Sequence, residues 1–174
     1  MADEPAWYLS VVIEHWPSRP DNDQLALSEL ALKSWSLWGV ATWPRPSDGS
    51  KLVRSTLRRD PQSGKLIFQY FGTKELRPSV FTAPLSIPPD VQKKICAVSA
   101  VEAYLLRTSG PAFNHGDRVW CSLKPSKKDG IHRAVGAETL SRFKGGSIRM
   151  AAASKAIDDG CDPRFVLIMG RWRS

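Results

Sequence analysis

The chain has 174 residues, which is the size of one ordinary domain. Of these residues 42% are hydrophobic, which is enough apolar material for a single core. Its 25 Lys and Arg residues outnumber 17 Asp and Glu residues, and the formal net charge of +8 favours a polyanionic partner, nucleic acid ahead of an acidic membrane. The first residues do not look like a secretory signal and no stretch is long enough to span a bilayer, so we expect an intracellular protein without a membrane partner. The three cysteines lack metal-ligand spacing and are expected to be ordinary reduced core residues, and neither a metal nor a cofactor is expected.

The first predicted element is a helix that begins near Leu27. Apolar residues recur from there at helical spacing, through Trp35 and Trp38 to about Ala41. Ser28 is available as the N-cap of this helix. The spacing of the tryptophans favours packing in the core over stacking on DNA bases.

Arg45 follows the first helix between two prolines, which end the helix and hold the arginine in an extended link. The next residues, Ser47 and Asp48, can cap a second short helix that runs through about Val53. Arg45 is therefore expected at the entrance of a helix.

A β-rich region comes next. Its alternating and β-branched residues, with a good turn at 61–64, predict three short antiparallel strands. Pro84 would remove a ladder donor, so the last strand is expected at an edge of the sheet. Gly72 to Glu75, which includes Lys74, is predicted to form a polar hairpin tip between the second and third strands.

The second half of the chain is predicted to be mainly helical. Asp90 can cap a helix with apolar residues from Val91 to Leu105, and a lysine-rich loop and a brief helical segment follow before Gly145 and Gly146. Ser147 is expected to cap an alanine-rich helix that closes at 158–160, and Asp162 and Pro163 start a last helix that ends at Gly170. The expected fold is α+β and mostly helical: a helical bundle with a small three-stranded antiparallel sheet.

Arg149 lies in the first turn of its predicted helix, where the macrodipole makes a cation unfavourable by about 0.3–1 kcal/mol. Free N–H groups at the helix start, together with a guanidinium, form the kind of site that phosphates occupy. Arg45 repeats this arrangement. Each arginine can instead extend into solvent or pair with an acid such as Asp48 or Glu75.

The order of these motifs resembles a known family. Arg45-Pro46-Ser47-Asp48, Lys74 on a hairpin, Ser147-Ile148-Arg149 and Gly170-Arg171-Trp172 are similar to the catalytic boxes of tyrosine recombinases of the phage-integrase type. Residues 135–142 and 147–156 are similar to the recombinases of eukaryotic DIRS-like retroelements.

The resemblance implies a catalytic domain of the DNA breaking-rejoining type over residues 25–174, with residues 1–24 as an extension or the end of a lost N-terminal DNA-binding domain. It also implies roles in DNA recombination and integration, with DNA and other recombinase protomers as partners, no small-molecule substrate, and a nuclear location if the source is a eukaryotic mobile element.

In that family a tyrosine attacks a DNA phosphate, and no metal or high-energy cofactor takes part. By resemblance, Arg45 and Arg149 would bind the non-bridging oxygens, Lys74 would protonate the leaving hydroxyl, and Trp172 would donate its indole N–H to the phosphate. The implied catalytic residues are Arg45, Lys74, Arg149 and Trp172, and the implied DNA-contacting residues are Arg45, Lys74, Ser147, Arg149 and Arg171.

The sequence also departs from the family. Gly146 stands where the family has a histidine, and no tyrosine follows Trp172 before Ser174. Gly49 replaces an apolar residue of the first arginine box, at a cost of up to about 1 kcal/mol in helix propensity. We therefore expect a truncated domain that binds DNA without cleaving it. A non-catalytic basic nucleic-acid-binding module and a helical protein-interaction domain remain alternatives.

Overall fold

The computed structural model describes residues 13–45, 47–72, 79–111, 113, 116–120 and 147–170, with 147, 148 and 168–170 described as helix backbone only. Over these ranges the chain is α+β, as its sequence predicts, and combines helices with a small antiparallel sheet. The helices are α1 (Leu27–Thr42), α2 (Ala97–Arg107), α3 (Ser147–Asp158) and α4 (Pro163–Gly170), and the strands are β1 (Arg58–Arg59), β2 (Leu66–Phe68) and β3 (Leu85–Ile87). None of the helices in the described ranges has the length and apolarity needed to cross a bilayer.

The first helix has the predicted bounds but not the predicted cap. Ala26 occupies the N-cap position and no side chain caps the helix there, so Ser28 is an ordinary residue of the first turn. The start is set instead by burial of the apolar face, which includes Leu30 and Leu37. The helix ends at Thr42, and Trp43 follows with a left-handed φ of 50°.

The main core lies between α1, α2 and the sheet. Trp38 of α1 is buried with Val98 and Val101 of α2 and with Phe68 of β2, and α1 packs along α2. Tyr70 and Tyr104 are 1% and 0% exposed, so both side chains belong to the core. Trp35 is partly buried against the same cluster, so the tryptophan spacing did indicate packing.

The sheet has the order β1-β2-β3, with both pairs antiparallel. Leu66 lies opposite Ile87, and both are buried. The edge position of β3 agrees with the expectation from Pro84. The turn before β2 also forms as predicted: the Asp60 carboxylate accepts the N–H groups of Gln62 and Ser63.

The second helix starts later than the sequence suggested. The Asp90 carboxylate accepts the N–H of Gln92 at 2.7 Å, which forms a local turn in place of a helix cap. Val91 is 97% exposed, and a 3-10 turn at Lys93–Ile95 precedes α2. The helical spacing of Val91 was misleading because a short aspartate side chain can satisfy a nearby turn as readily as a helix N-terminus.

The cysteines do not all share the expected environment. Cys96 is buried at the N-terminus of α2, whereas Cys161 is exposed, so the expectation of core cysteines is wrong for Cys161. Cys161 is exposed because it lies in the short link between α3 and α4. Cys121 lies outside the described residues.

The last two helices match the predicted bounds. Gly160, with φ 90°, lies just after the end of α3, and the Asp162 carboxylate accepts the N–H of Arg164 at the start of α4. Helix α3 packs against both α1 and α4. The predicted loop at 124–130, the helical segment at 138–143, and Gly145 and Gly146 lie outside the described residues.

Candidate functional site

Arg45 lies in a tight turn that follows α1 and that Asp48 holds in shape. The Arg45 N–H donates to Asp48 Oδ2 at 2.8 Å, and the Asp48 N–H donates to the Arg45 carbonyl at 2.9 Å. Asp48 is 1% exposed and Arg45 is half-buried. A buried carboxylate thus fixes the backbone from which the arginine side chain projects.

The helix predicted after this turn is shorter than expected. It is a single 3-10 turn, Gly49–Lys51, instead of a helix through about Val53. Leu52 pairs with Tyr70 and Val53 pairs with Arg118 in isolated antiparallel bridges. These pairings require extended backbone, and they end the helical turn.

Gly49 allows a close approach between this turn and α1. A Cβ atom built on Gly49 would lie 3.2 Å from Trp35 Nε1 and 3.7 Å from Trp38 Cζ3. The two indoles therefore fill the space that an apolar side chain would need. This packing gives the glycine at position 49 a structural reason.

The residues on either side of the segment that contains Lys74 pair with each other beside the Arg45 turn. The Phe71 N–H donates to the Lys51 carbonyl at 2.9 Å, and the Gly72 N–H donates to the Val80 carbonyl at 3.1 Å. Phe71 and Phe81 are paired across the two arms. Lys74 itself belongs to residues 73–78, outside the described ranges.

Arg149 is the third residue of α3, as expected, and its side chain is half-buried. Ser147 is the first residue of this helix, so it does not occupy the predicted N-cap position before the helix. Only its backbone is described. Helix α3, which carries Arg149, packs against α1, the helix that leads into the Arg45 turn.

The structure thus packs α3, which carries Arg149, against the helix that leads into the Arg45 turn, and it describes the residues on either side of the segment that contains Lys74. Gly146, Arg171 and Trp172 lie outside the described residues. Their roles stay predictions from the resemblance.

The charge of the described surface is unevenly compensated. Ion pairs join Arg19 to Glu29, Arg59 to Glu102, Lys94 to Asp21 and Lys155 to Asp159. Exposed cations such as Arg58, Lys93, Arg118 and Arg164 add positive charge around these pairs. Within the described part of the chain no three His, Cys, Asp or Glu residues are grouped closely enough to hold a metal ion.

One nearby arginine has a clear structural role. The Arg54 guanidinium donates to the Leu105 carbonyl at 2.5 Å and to Thr108 Oγ1 at 2.9 Å. Both acceptors lie at the C-terminus of α2, where the helix dipole favours a cation. Arg54 therefore ties the segment after the Arg45 turn to α2.

Two features of the region were not found from the sequence. The first is the aromatic pair Phe71 and Phe81, which could have been noticed as two phenylalanines placed on either side of the hairpin tip. The second is Lys33, which is 1% exposed in the middle of α1. Its burial has no signal in the sequence, because a lysine on an amphipathic helix is normally assigned to the solvent side.

The chain matches no protein-family model and no curated protein.

Proposed function

We propose that this chain is a DNA-binding domain related to tyrosine recombinase catalytic domains of the DNA breaking-rejoining type, and that it binds the DNA backbone without cutting it. The phosphate site would combine Arg45 with Arg149 and the N–H groups at the start of α3. The observation that carries the proposal is the contact between α3, which carries Arg149, and α1, which leads into the Arg45 turn.

The physical basis is recognition of phosphate by preorganised donors. The buried Asp48 already orders the backbone of Arg45, so binding of an anion by its guanidinium orders the side chain but costs little further backbone freedom. The first N–H groups of a helix and a planar guanidinium both suit phosphate oxygens. Under this proposal Lys74, Ser147, Arg171 and Trp172 contribute further contacts to the same DNA strand.

None of the tyrosines of this chain is expected to cleave DNA. Covalent catalysis needs a nucleophile that can reach the phosphate. Tyr70 and Tyr104 are both buried in the core, where a backbone phosphate of DNA has no access. Tyr8 lies outside the described residues and matches no nucleophile position in the resemblance.

Salt-dependent binding to duplex DNA tests the proposal directly. The affinity is expected to fall steeply between about 50 and about 200 mM salt, because each neutralised phosphate releases counterions. Arg45→Ala and Arg149→Ala should each weaken binding to all sequences and reduce the salt slope by about 1. Lys93→Ala is a matched control, since it removes an exposed charge on the 3-10 turn before α2. A flat salt titration, or equal effects of all three substitutions, contradicts the proposed site.

Cleavage is tested separately. The purified chain is incubated with nicked suicide-site DNA, and covalent protein–DNA adducts are sought on a denaturing gel. We expect none from this chain. An adduct that disappears in Tyr8→Phe would show that the chain has its own nucleophile, and the binding-only part of the proposal would then be wrong.

A protein-interaction domain is the second candidate, and the surface of α3 and α4 favours it. Met150 and Phe165 are 57% and 53% exposed, which leaves apolar side chains in solvent on both helices. Phe165→Ser should reduce self-association in sedimentation experiments if this surface is an interface. If it does so while Arg45→Ala has no effect on DNA binding, the second candidate is preferred over the first.

A further inference from the structure

An exposed aromatic pair lies at the base of the hairpin. The Phe71 and Phe81 rings have centroids 4.9 Å apart with an interplanar angle of 58°. They are 40% and 44% exposed, and the adjacent Val80 is 42% exposed. The two rings form one exposed aromatic patch on the described surface.

The pairing pattern explains why this patch faces away from the core. Tyr70 is buried, and side chains alternate between the two faces along an extended strand, so Phe71 belongs to the opposite face. Phe81 is the bridge partner of Phe71 and shares that face. Cross-strand contact between the rings stabilises the hairpin, but much of each ring remains open to solvent.

The patch adjoins the candidate phosphate site through a short chain of hydrogen bonds. The Phe71 N–H donates to the Lys51 carbonyl, and the Lys51 N–H donates to the Asp48 carbonyl, each at 2.9 Å. Asp48 in turn holds the Arg45 backbone. The backbone that carries the aromatic pair therefore adjoins a segment that carries two cations, Arg45 and Lys51.

This combination fits one kind of occupant. Proteins that hold single-stranded nucleic acid pair a positively charged track for the backbone with aromatic side chains on which bases stack. A purely apolar partner would gain nothing from the adjacent cations. An acidic peptide would use the cations but not the rings.

We propose that Phe71 and Phe81 form a stacking platform for an unpaired base of the DNA strand whose phosphate Arg45 binds. The inference rests on the proposed DNA binding, and it adds that the chain prefers DNA with an unpaired base near the bound phosphate over fully paired duplex.

The test compares duplex DNA with the same duplex carrying one bulged 2-aminopurine. Wild type should bind the bulged DNA more tightly and quench the 2-aminopurine fluorescence. Phe81→Leu keeps an apolar side chain but removes the aromatic face, so it should weaken bulge binding by about 5- to 50-fold, within the usual range for loss of base stacking. Its affinity for plain duplex should change by less than about twofold. Phe81→Trp should restore bulge binding.

Phe165→Leu is the matched control, because Phe165 on α4 is a phenylalanine of similar exposure, 53% against 44% for Phe81. If Phe81→Leu leaves bulge binding unchanged, or weakens duplex and bulge binding equally, the platform is wrong. Binding of wild type to duplex DNA distinguishes failure of the stacking platform from failure of the proposed function. If it is salt-dependent and sensitive to Arg45→Ala while Phe81→Leu has no selective effect, only the platform fails. If wild type binds neither DNA, the proposed function fails with it.

Discussion

Lys33 gives the sharpest prediction about stability. This lysine is 1% exposed on α1, and its Nζ finds no hydrogen-bond partner among the residues that the structure describes. The nearest compensation is the Trp16 ring, whose centroid is 5.9 Å from Nζ. Burial lowers the pKa of Lys33; attraction from Asp21 raises it and repulsion from Lys94 lowers it further, both less strongly. We expect Lys33→Met to stabilise the protein.

The magnitude follows from the balance of these effects. Taking an ammonium out of water costs several kcal/mol, and replacing buried charges by apolar residues of similar size gains about 1–4 kcal/mol. The cation–π contact with Trp16 offsets about 0.5–2 kcal/mol of the cost of burying the ammonium. Asp21 adds little, because its side chain is 67% exposed and its charge is screened by solvent. The net gain for Lys33→Met is expected to be about 2 kcal/mol, or a Tm increase of about 4–8 °C for a domain of this size.

The pH dependence provides an independent readout. The pKa of Lys33 in the folded chain lies below its ordinary value of 10.5, which applies in the unfolded chain. Between these two values the unfolded chain holds a proton that the folded chain has lost, so the free energy of unfolding rises with pH in that window. Below the folded pKa both states are charged and the slope disappears. Lys33→Met should remove the alkaline rise.

Urea unfolding at several pH values measures both effects. The control is Lys93→Met, which makes the same substitution at an exposed lysine and should change the midpoint little. A destabilised Lys33→Met, or a mutant with the same rise in stability at high pH as wild type, would refute the reasoning about an unpaired buried ammonium.

Three further predictions concern the region around the Arg45 turn. Gly49→Ala should cost about 1 kcal/mol in urea unfolding, because the new methyl group would press on the Trp35 indole. Asp48→Ala should cost about 2 kcal/mol and weaken DNA binding, because it removes the buried acceptor of the Arg45 N–H, whereas Asp48→Asn keeps an acceptor and should lose less of both. Arg54→Lys should cost about 1–2 kcal/mol, because an ammonium cannot reproduce the paired hydrogen bonds of the guanidinium to the end of α2, and duplex binding of the folded protein should be unaffected.

The elements of the fold were largely predictable, because hydrophobic period decides helices and strands. The bounds of α1, α3 and α4 and the edge position of β3 follow from apolar spacing, glycine and proline. The start of α2 was missed because Asp90 closes a local turn, a competition that the sequence alone does not resolve.

The candidate site was predictable only in part, because its geometry depends on contacts between distant segments. That Asp48 would interact with the Arg45 turn could be expected from their spacing. Two other contacts depend on how distant segments pack and pair. Phe71 lies beside Lys51, and Trp35 fills the space above Gly49. Local patterns do not specify such pairing until the core that fixes it is known.

The arginines show most clearly what the structure adds. Arg45 and Arg54 lie nine positions apart in one short region. An arginine at either position could bind a phosphate or an internal acceptor. Arg54 donates to the end of α2, so its loss should lower stability. Arg45 is held by its backbone, so truncating its side chain leaves the hydrogen bond to Asp48 intact. A variant pair that separates stability from DNA affinity in this way would therefore distinguish a binding arginine from a structural one.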